Sequence, residues 1–281
     1  MSLLSALILG ALEGLTEFLP VSSSGHLVLA ETLLKLPVES LKSFDIAVHL
    51  GTLLAILVYF WHDIIGLIKG FFVWLSHIFG SRKNVSEDIK YYQRQAGHII
   101  AATVPAVIFG LTLSDWLDAE FRSPLPIVIM MMTVGVLFFV AELIYSRLKT
   151  RSIRLREAII MGFMQCLALI PGVSRSGITI SAGIVQGVKR DEAARFSFLL
   201  GAVTIFGAAV FAVVEILKGK YALPAASILV TGIVSSFVVG LAAISFLMRY
   251  LRSHTLHIFG VYRVVLGFVL LYCILFTKIF G

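Results

Sequence analysis

The stretch Glu13-Gly-Leu-Thr-Glu17-Phe-Leu-Pro20-Val-Ser22-Ser23-Ser24-Gly25-His26 decides the fold. It sets two carboxylates, three consecutive serines and an imidazole between two flanks, Leu3 to Leu12 and Leu27 to Leu36, that are apolar enough for hydrocarbon. An ionisable group at membrane depth costs about 2.5–3.5 kcal/mol on insertion scales, so several together mark a functional site.

The rest of the chain supplies that hydrocarbon setting. Of 281 residues, 59% are hydrophobic and 14% charged, which fits a polytopic membrane protein. A spanning helix needs about 20 mostly apolar residues. Six stretches qualify: Phe44 to Trp61, Ala96 to Ser114, Leu125 to Tyr145, Ala193 to Leu217, Pro224 to Met248 and Leu256 to Phe280. Strand alternation is absent, so the expected class is all-α, not a barrel. The net charge of +7 comes from cations in the loops between these segments. There they set topology and meet anionic headgroups, so no nucleic-acid partner is expected. Cys166 and Cys273 have no metal-ligand spacing and read as packing residues. The first residues lack a basic n-region and carry Glu13 and Glu17, so they are read as mature protein and not as a signal peptide.

Pro20 divides the opening stretch into two arms too short to span, which predicts a re-entrant hairpin over 3–36. Asp63 to Phe79 reads as an amphipathic interfacial helix or the extension of a spanning one. The connection Ser81 to Arg94 is basic, Asp115 to Arg122 is acidic, and Arg147 to Arg156 holds five arginines and lysines. The basic connections are therefore expected in the cytoplasm, and the first hairpin is expected to enter from the external face.

Beyond Arg156 the opening pattern returns. At an offset of 152, Ala6 to Gly25 aligns without gaps on Ala158 to Gly177 with eight of twenty positions identical, and Glu13 faces Gln165. Leu50-Gly51 reappears as Leu200-Gly201. An odd number of spans separates the copies, so the expected plan is one membrane domain over 1–281 with inverted topology. Repeat one is 1–146, and repeat two is 153–281 with a second re-entrant hairpin over 156–188. Lys189, Arg190 and Arg195 return that hairpin to the cytoplasm. Arg249 and Arg252 then fall inside, and Lys218 and Lys220 fall outside, against the rule.

Each tip carries a Ser-x-Ser-Gly run at the start of its second arm, and a helix N-terminus there is an anion site. Ser22, Ser24, Ser174, Ser176, Gly177 and Thr179 are candidate phosphate contacts, joined by Arg175, whose fork matches phosphate oxygens. A single serine in such a place is more often only an N-cap; the repetition around Arg175 favours the anion reading. Glu13 and Glu17 stack on one helical face, where close like charges need a cation, a shared proton or an arginine between them. A divalent metal is one solution. Alternatively Glu17 acts as general base, with His26 as proton donor or acceptor. Asp45 and His49 lie early in the first span, and His49 is read as a helix-packing histidine sooner than as a ligand. Glu142 and Glu215 are near span ends, where snorkelling makes them cheap, and Gln165 is a further candidate lining the second tip.

Glu13-Gly-Leu-Thr-Glu17, Pro20-Val-Ser-Ser-Ser-Gly-His26 and Pro171-Gly-Val-Ser-Arg-Ser-Gly177, in this order, resemble the signature motifs of the undecaprenyl-diphosphate phosphatases, the bacitracin-resistance family. The likeness extends over essentially the whole chain. It implies hydrolysis of undecaprenyl diphosphate to the monophosphate carrier lipid in the bacterial inner membrane, on its external side, with a divalent metal such as Mg2+ or Ca2+. Carried over by residue, it implies Glu13 and Glu17 as the acid pair that would hold the metal. Glu17, Ser23, His26 and Arg175 are implied as catalytic groups. Either Ser23 or water attacks the terminal phosphorus. The lipid diphosphate is the expected partner, with a second copy of the chain as an open alternative in a homodimer. The rival class is a secondary transporter or lipid flippase, because inverted repeats with broken helices are mainly a transporter plan.

Overall fold

The computed structural model describes residues 1–36, 41–78, 85–219 and 223–277, the side chains of Asp115 and Asp118 excepted. Its first break falls where the sequence demands one. Leu3–Phe18 forms α1 and Ser23–Leu33 forms α2. Pro20 has no N–H and pushes Leu19 out of helical geometry, to ψ 139°. Ser22 then caps α2, accepting the Gly25 N–H at 3.4 Å.

Four helices follow: α3 (Lys42–Tyr59), α4 (Trp61–Ile78), α5 (Glu87–Phe121) and α6 (Pro124–Tyr145). The second half opens with α7 (Leu155–Cys166), which runs through a short 3₁₀ turn, Leu167–Leu169, into the second break. It continues with α8 (Arg175–Ile184), α9 (Arg190–Leu217), α10 (Ala226–Tyr250) and α11 (His257–Phe276). Ser174 caps α8 by accepting the Gly177 N–H at 3.2 Å. Ser22 at φ 80° and Ser174 at φ 74°, 152 residues apart, hold the same rare conformation. A non-glycine residue there costs of order 1–3 kcal/mol, so packing on both sides must enforce each break.

Among the described residues, six helices are long and apolar enough to cross a membrane: α3, α5, α6, α9, α10 and α11. They cover the six stretches read from the sequence to within two residues at each end, apart from the segment after Thr277, which lies outside the described residues. The chain is thus an all-α multi-pass membrane protein. At about 1.5 Å per residue, the arms of 16, 11, 12 and 10 residues fall short of a hydrocarbon core of about 30 Å. Each arm by itself is therefore too short to span. The helix expected from Asp63 is α4, which starts at Trp61 and packs along α5. One expectation needs correction. Asp115 to Arg122 is not a connection but mostly the end of α5, which runs on for 35 residues because neither glycine nor proline interrupts it after Pro105 and Gly110. Of the basic connection, Arg82 and Lys83 lie outside the described residues, as does Lys220, while Lys90 and Arg94 belong to α5.

Packing between the halves is reciprocal: α1 lies along α10, and α7 along α5. Gly10 and Gly162, paired by the sequence offset, make the equivalent contacts. A Cβ on Gly10 would run into the carbonyl of Gly232, and one on Gly162 into that of Ala102. Helix α3 packs on α9, and α6 on α11. Phe18, Phe138, Phe198 and Met161 fill the core beneath the two breaks.

Charged clamps tie the helix ends. Glu142 is 4% exposed; it accepts Arg190 Nε at 2.9 Å and the Leu256 N–H at 2.9 Å. It is a buried anchor, not a snorkelling group, because α9 and α11 close over it. Arg195 pairs with Asp63, which also accepts the Tyr92 hydroxyl at 3.0 Å. Glu215 pairs with Lys218 at 3.1 Å.

Candidate active site

The two breaks meet at Glu17. This residue sits in the last turn of α1, 7% exposed. The Ser23 hydroxyl, at the start of α2, donates to Glu17 Oε2. Arg175, at the start of α8, donates through Nη2 to Glu17 Oε1 at 2.8 Å. One carboxylate therefore joins a hydroxyl of the first break to the guanidinium of the second. Arg175 retains two buried donors, Nε and Nη1, with no acceptor among the described residues. Its place depends on Gly201, in α9, where a Cβ would overlap the guanidinium itself.

Glu13 lies one turn before Glu17, fully buried. Its Oε1 is 3.2 Å from Nε2 of His49, on α3. The other ring nitrogen of His49, Nδ1, is 2.7 Å from the carbonyl oxygen of Asp45. A carbonyl only accepts, so Nδ1 carries a proton and Nε2 is the ring atom left to face the carboxylate. Neither Glu13 oxygen has a hydrogen-bond donor among the described residues. Ligand atoms of Glu13, Glu17 and His49 lie within 4.8 Å of one another. An imidazole nitrogen facing a buried carboxylate suits a divalent cation or a proton between them. The carbonyl behind His49 is the usual outer support of a metal-binding imidazole. The residues present thus fit a metal held by two carboxylates and one histidine.

The remaining candidates divide. Ser22 and Ser174 cap their helices. Ser176 lies 3.3 Å from Ser174 and donates to the Leu19 carbonyl at 3.5 Å, which ties the second break to the first. Ser24 is half-buried with no side-chain hydrogen bond among the described residues, and the Gly177 N–H is engaged by Ser174. The Thr179 hydroxyl is turned into its own helix, donating to the Arg175 carbonyl at 2.7 Å with Ser197 beside it, and is fully buried. His26 stands apart from the Ser23–Glu17–Arg175 chain. Its Nδ1 is 2.7 Å from the Ser22 carbonyl and its Nε2 is 2.8 Å from the Tyr262 hydroxyl. Gln165, opposite Glu13 in the repeat, is buried with neither amide atom partnered among the described residues.

Sequence reading did not single out Arg263. This fully buried cation on α11 donates through Nε to the Met131 carbonyl at 2.9 Å, and through Nη2 to that of Gly172 at 2.7 Å and of Val173 at 3.2 Å. Its Nη1 donates to the Pro20 carbonyl at 3.3 Å. It thus joins both breaks to α6. The signal was present, since Arg263 is a charge in the middle of the last apolar span. His49 was weighed and read as packing; its partner Glu13 lies 36 positions away in sequence, beyond the reach of local pattern.

A multi-pass helical membrane protein with a buried acid, serine and arginine centre between two helix breaks is the class that fold and site define. The description "bacitracin resistance protein BacA" belongs to the family model that matches residues 6–269. The chain is 41% identical over 269 residues to an undecaprenyl-diphosphatase of Geotalea daltonii, covering 95% of this chain and 96% of that protein. It is 37% identical over 279 residues to the undecaprenyl-diphosphatase of Methanosphaera stadtmanae, covering 96% and 97%. To that of Rubrobacter xylanophilus it is 40% identical over 269 residues, covering 95% and 96%. This chain belongs to the bacitracin resistance protein BacA family.

Proposed function

We propose that the protein is an integral membrane phosphatase. It hydrolyses undecaprenyl diphosphate to undecaprenyl phosphate and inorganic phosphate, returning the carrier lipid to peptidoglycan synthesis and giving bacitracin resistance. The single observation that carries this reading is the bond from the Ser23 hydroxyl to Glu17 beside an arginine with two unused donors. A transporter or flippase has no need of a hydroxyl aimed at a buried base.

Ser23 Oγ attacks the terminal phosphorus as Glu17 accepts its proton, giving a phosphoserine and releasing prenyl phosphate. Water then hydrolyses the phosphoserine. Arg175 Nε and Nη1 hold the phosphoryl oxygens on which charge shifts, in a site largely closed to water. Glu13, Glu17 and His49 would hold a divalent metal such as Mg2+ or Ca2+, which when bound neutralises phosphate charge. The N-capping geometry of Ser22 and Ser174 supports two helix N-termini facing the same anion.

The reading extends to the whole chain. The two halves, 1–146 and 153–281, are repeats of opposite orientation, a view supported by the reciprocal packing of Gly10 and Gly162. The hairpins dip into a bacterial inner membrane from opposite faces, with the site reached from the external side while the prenyl tail stays in lipid. A homodimer belongs to the same proposal, and light scattering in detergent tests it.

The central test is phosphate release from farnesyl diphosphate in detergent, with and without Mg2+ or Ca2+. The wild type is expected to turn over only with metal, and Ser23→Ala to lose activity. Acid-quenched wild type is expected to yield phosphoserine. Full turnover by Ser23→Ala would replace serine with water as the nucleophile; no release by wild type, alongside lipid transport in vesicles, would overturn the phosphatase reading.

A further inference from the structure

The start of α5 changes character within one turn. Glu87 to Gln95 carries Glu87, Asp88, Lys90 and Arg94, whereas Ala96 to Ser114 holds no aspartate, glutamate, lysine or arginine. The hydrocarbon boundary therefore falls between Arg94 and Ala96. At that level α4, α5 and the start of α7 enclose a cavity of about 640 Å³, and none of its lining residues belongs to the Glu17 centre. Its size is that of a small-molecule site, about 300–1,000 Å³. Along α5 the lining runs from Lys90 and Arg94 through Gly97 to Ala101, with Trp74 and Leu155 as walls. A Cβ on Gly97 would meet no atom within 4 Å, so the floor there is bare helix backbone.

The charge at the mouth is positive. Glu87 is the one acid among the lining residues, and it pairs with Lys90 at 2.7 Å. Arg94, one turn further in, is left with neither hydrogen bond nor salt bridge among the described residues. Arg154 and Arg156, both exposed, flank Leu155 at the rim, while Glu157 is buried and accepts the Arg154 N–H at 3.1 Å. His98 also lines the cavity and keeps a buried Nδ1 with no hydrogen-bond partner among the described residues. A small free anion would use only the polar end of this space. A molecule with a phosphate at the boundary and hydrocarbon below it uses all of it, and an indole suits that level.

We propose that this cavity binds an anionic phospholipid of the leaflet on the basic side of the protein. Its phosphate lies at Arg94 and His98, and the first part of an acyl chain runs over Gly97 and Ala101 between Trp74 and Leu155. The lipid fastens α4 to α5 and α7 from outside. It takes no part in the reaction, so the site stands whether or not the chain is a phosphatase.

Tryptophan quenching tests this. In the full chain Trp61 and Trp116, both more than half exposed, are replaced by phenylalanine so that Trp74 alone reports. The protein is placed in phosphatidylcholine vesicles with a rising share of phosphatidylglycerol, one lipid or the other being brominated on its chains. Phosphatidylglycerol is expected to hold the place beside Trp74 about fivefold more strongly than phosphatidylcholine, the factor that one cation near the surface is worth. Arg94→Gln should bring that ratio to about one. Gly97→Leu should do the same, because its side chain enters the cavity without removing a charge. Glu87→Gln, which frees Lys90, should raise it. A chain whose sole tryptophan is Trp116, about 33 Å from Arg94 along α5, should show no preference. Equal quenching of Trp74 by both lipids in protein with its cavity intact overturns the proposal even if the cavity variants fail to fold. A preference that survives Gly97→Leu, or is as strong at Trp116, reports general attraction to a cationic protein and overturns it too. Inorganic phosphate is expected to leave the ratio unchanged; if it abolishes the preference, the cavity takes a free anion and the lipid reading falls.

Discussion

Glu17 makes two bonds at once, one to the hydroxyl of Ser23 and one to Arg175. Glu17→Gln keeps the shape but loses the base and the charge, and phosphate release is expected to fall by about 10²–10⁴-fold. His49 should act differently. Replacing it with alanine removes one of the three proposed ligands without touching Ser23, so the metal concentration for half-activation is expected to rise by about 10–100-fold. Turnover at saturating metal should change far less. A metal titration followed by phosphate release checks both, and an unchanged midpoint in His49→Ala would remove His49 from the metal site. Glu13, Glu17, Ser23 and Arg175 were legible in the sequence because carboxylates, hydroxyls and a guanidinium are costly at membrane depth and stand out there. The contact of Tyr262 with His26 was not, since a tyrosine near the middle of an apolar span has many ordinary explanations and its partner is 236 positions away.

At the scale of the element, the breaks count for more than the spans. Gly201 in α9 is the slot that receives the Arg175 side chain. Gly201→Ala should push the guanidinium from Glu17, and a displacement of about 1 Å in such a site can cost about 10²-fold. Gly207→Ala, two turns on, has open space around its Cβ and should leave turnover unchanged. Farnesyl diphosphate hydrolysis by the two variants is the measurement. The breaks were readable from Pro20 and from the run repeated at Ser174, and the spans from hydropathy alone. The extension of α5 to Phe121 was not, because an acidic stretch reads equally well as a loop or as a polar helix end. Glu142 was misjudged for a related reason: nearness to a span end suggested solvent, but Arg190 and the Leu256 N–H, both distant in sequence, enclose it.

For the molecule as a whole, Arg263 is the joint at which breaks and bundle meet. Arg263→Met leaves the carbonyls of Pro20, Met131, Gly172 and Val173 without their donor. A buried acceptor left without its donor costs about 1–3 kcal/mol. Thermal unfolding in detergent should show a loss of that order, with activity lost in parallel. Arg263→Lys, with a single head in place of a fork, should fall between the two. What no local pattern could reveal is that one side chain serves both halves, since its contacts reach back 243 positions to Pro20. The oxygens gathered around it are main-chain oxygens, and main-chain carbonyls do not take up protons in mild acid as carboxylates do. The junction between the breaks should therefore hold together in surroundings sour enough to disable the chemistry beside it, and the enzyme should regain its activity when neutrality returns.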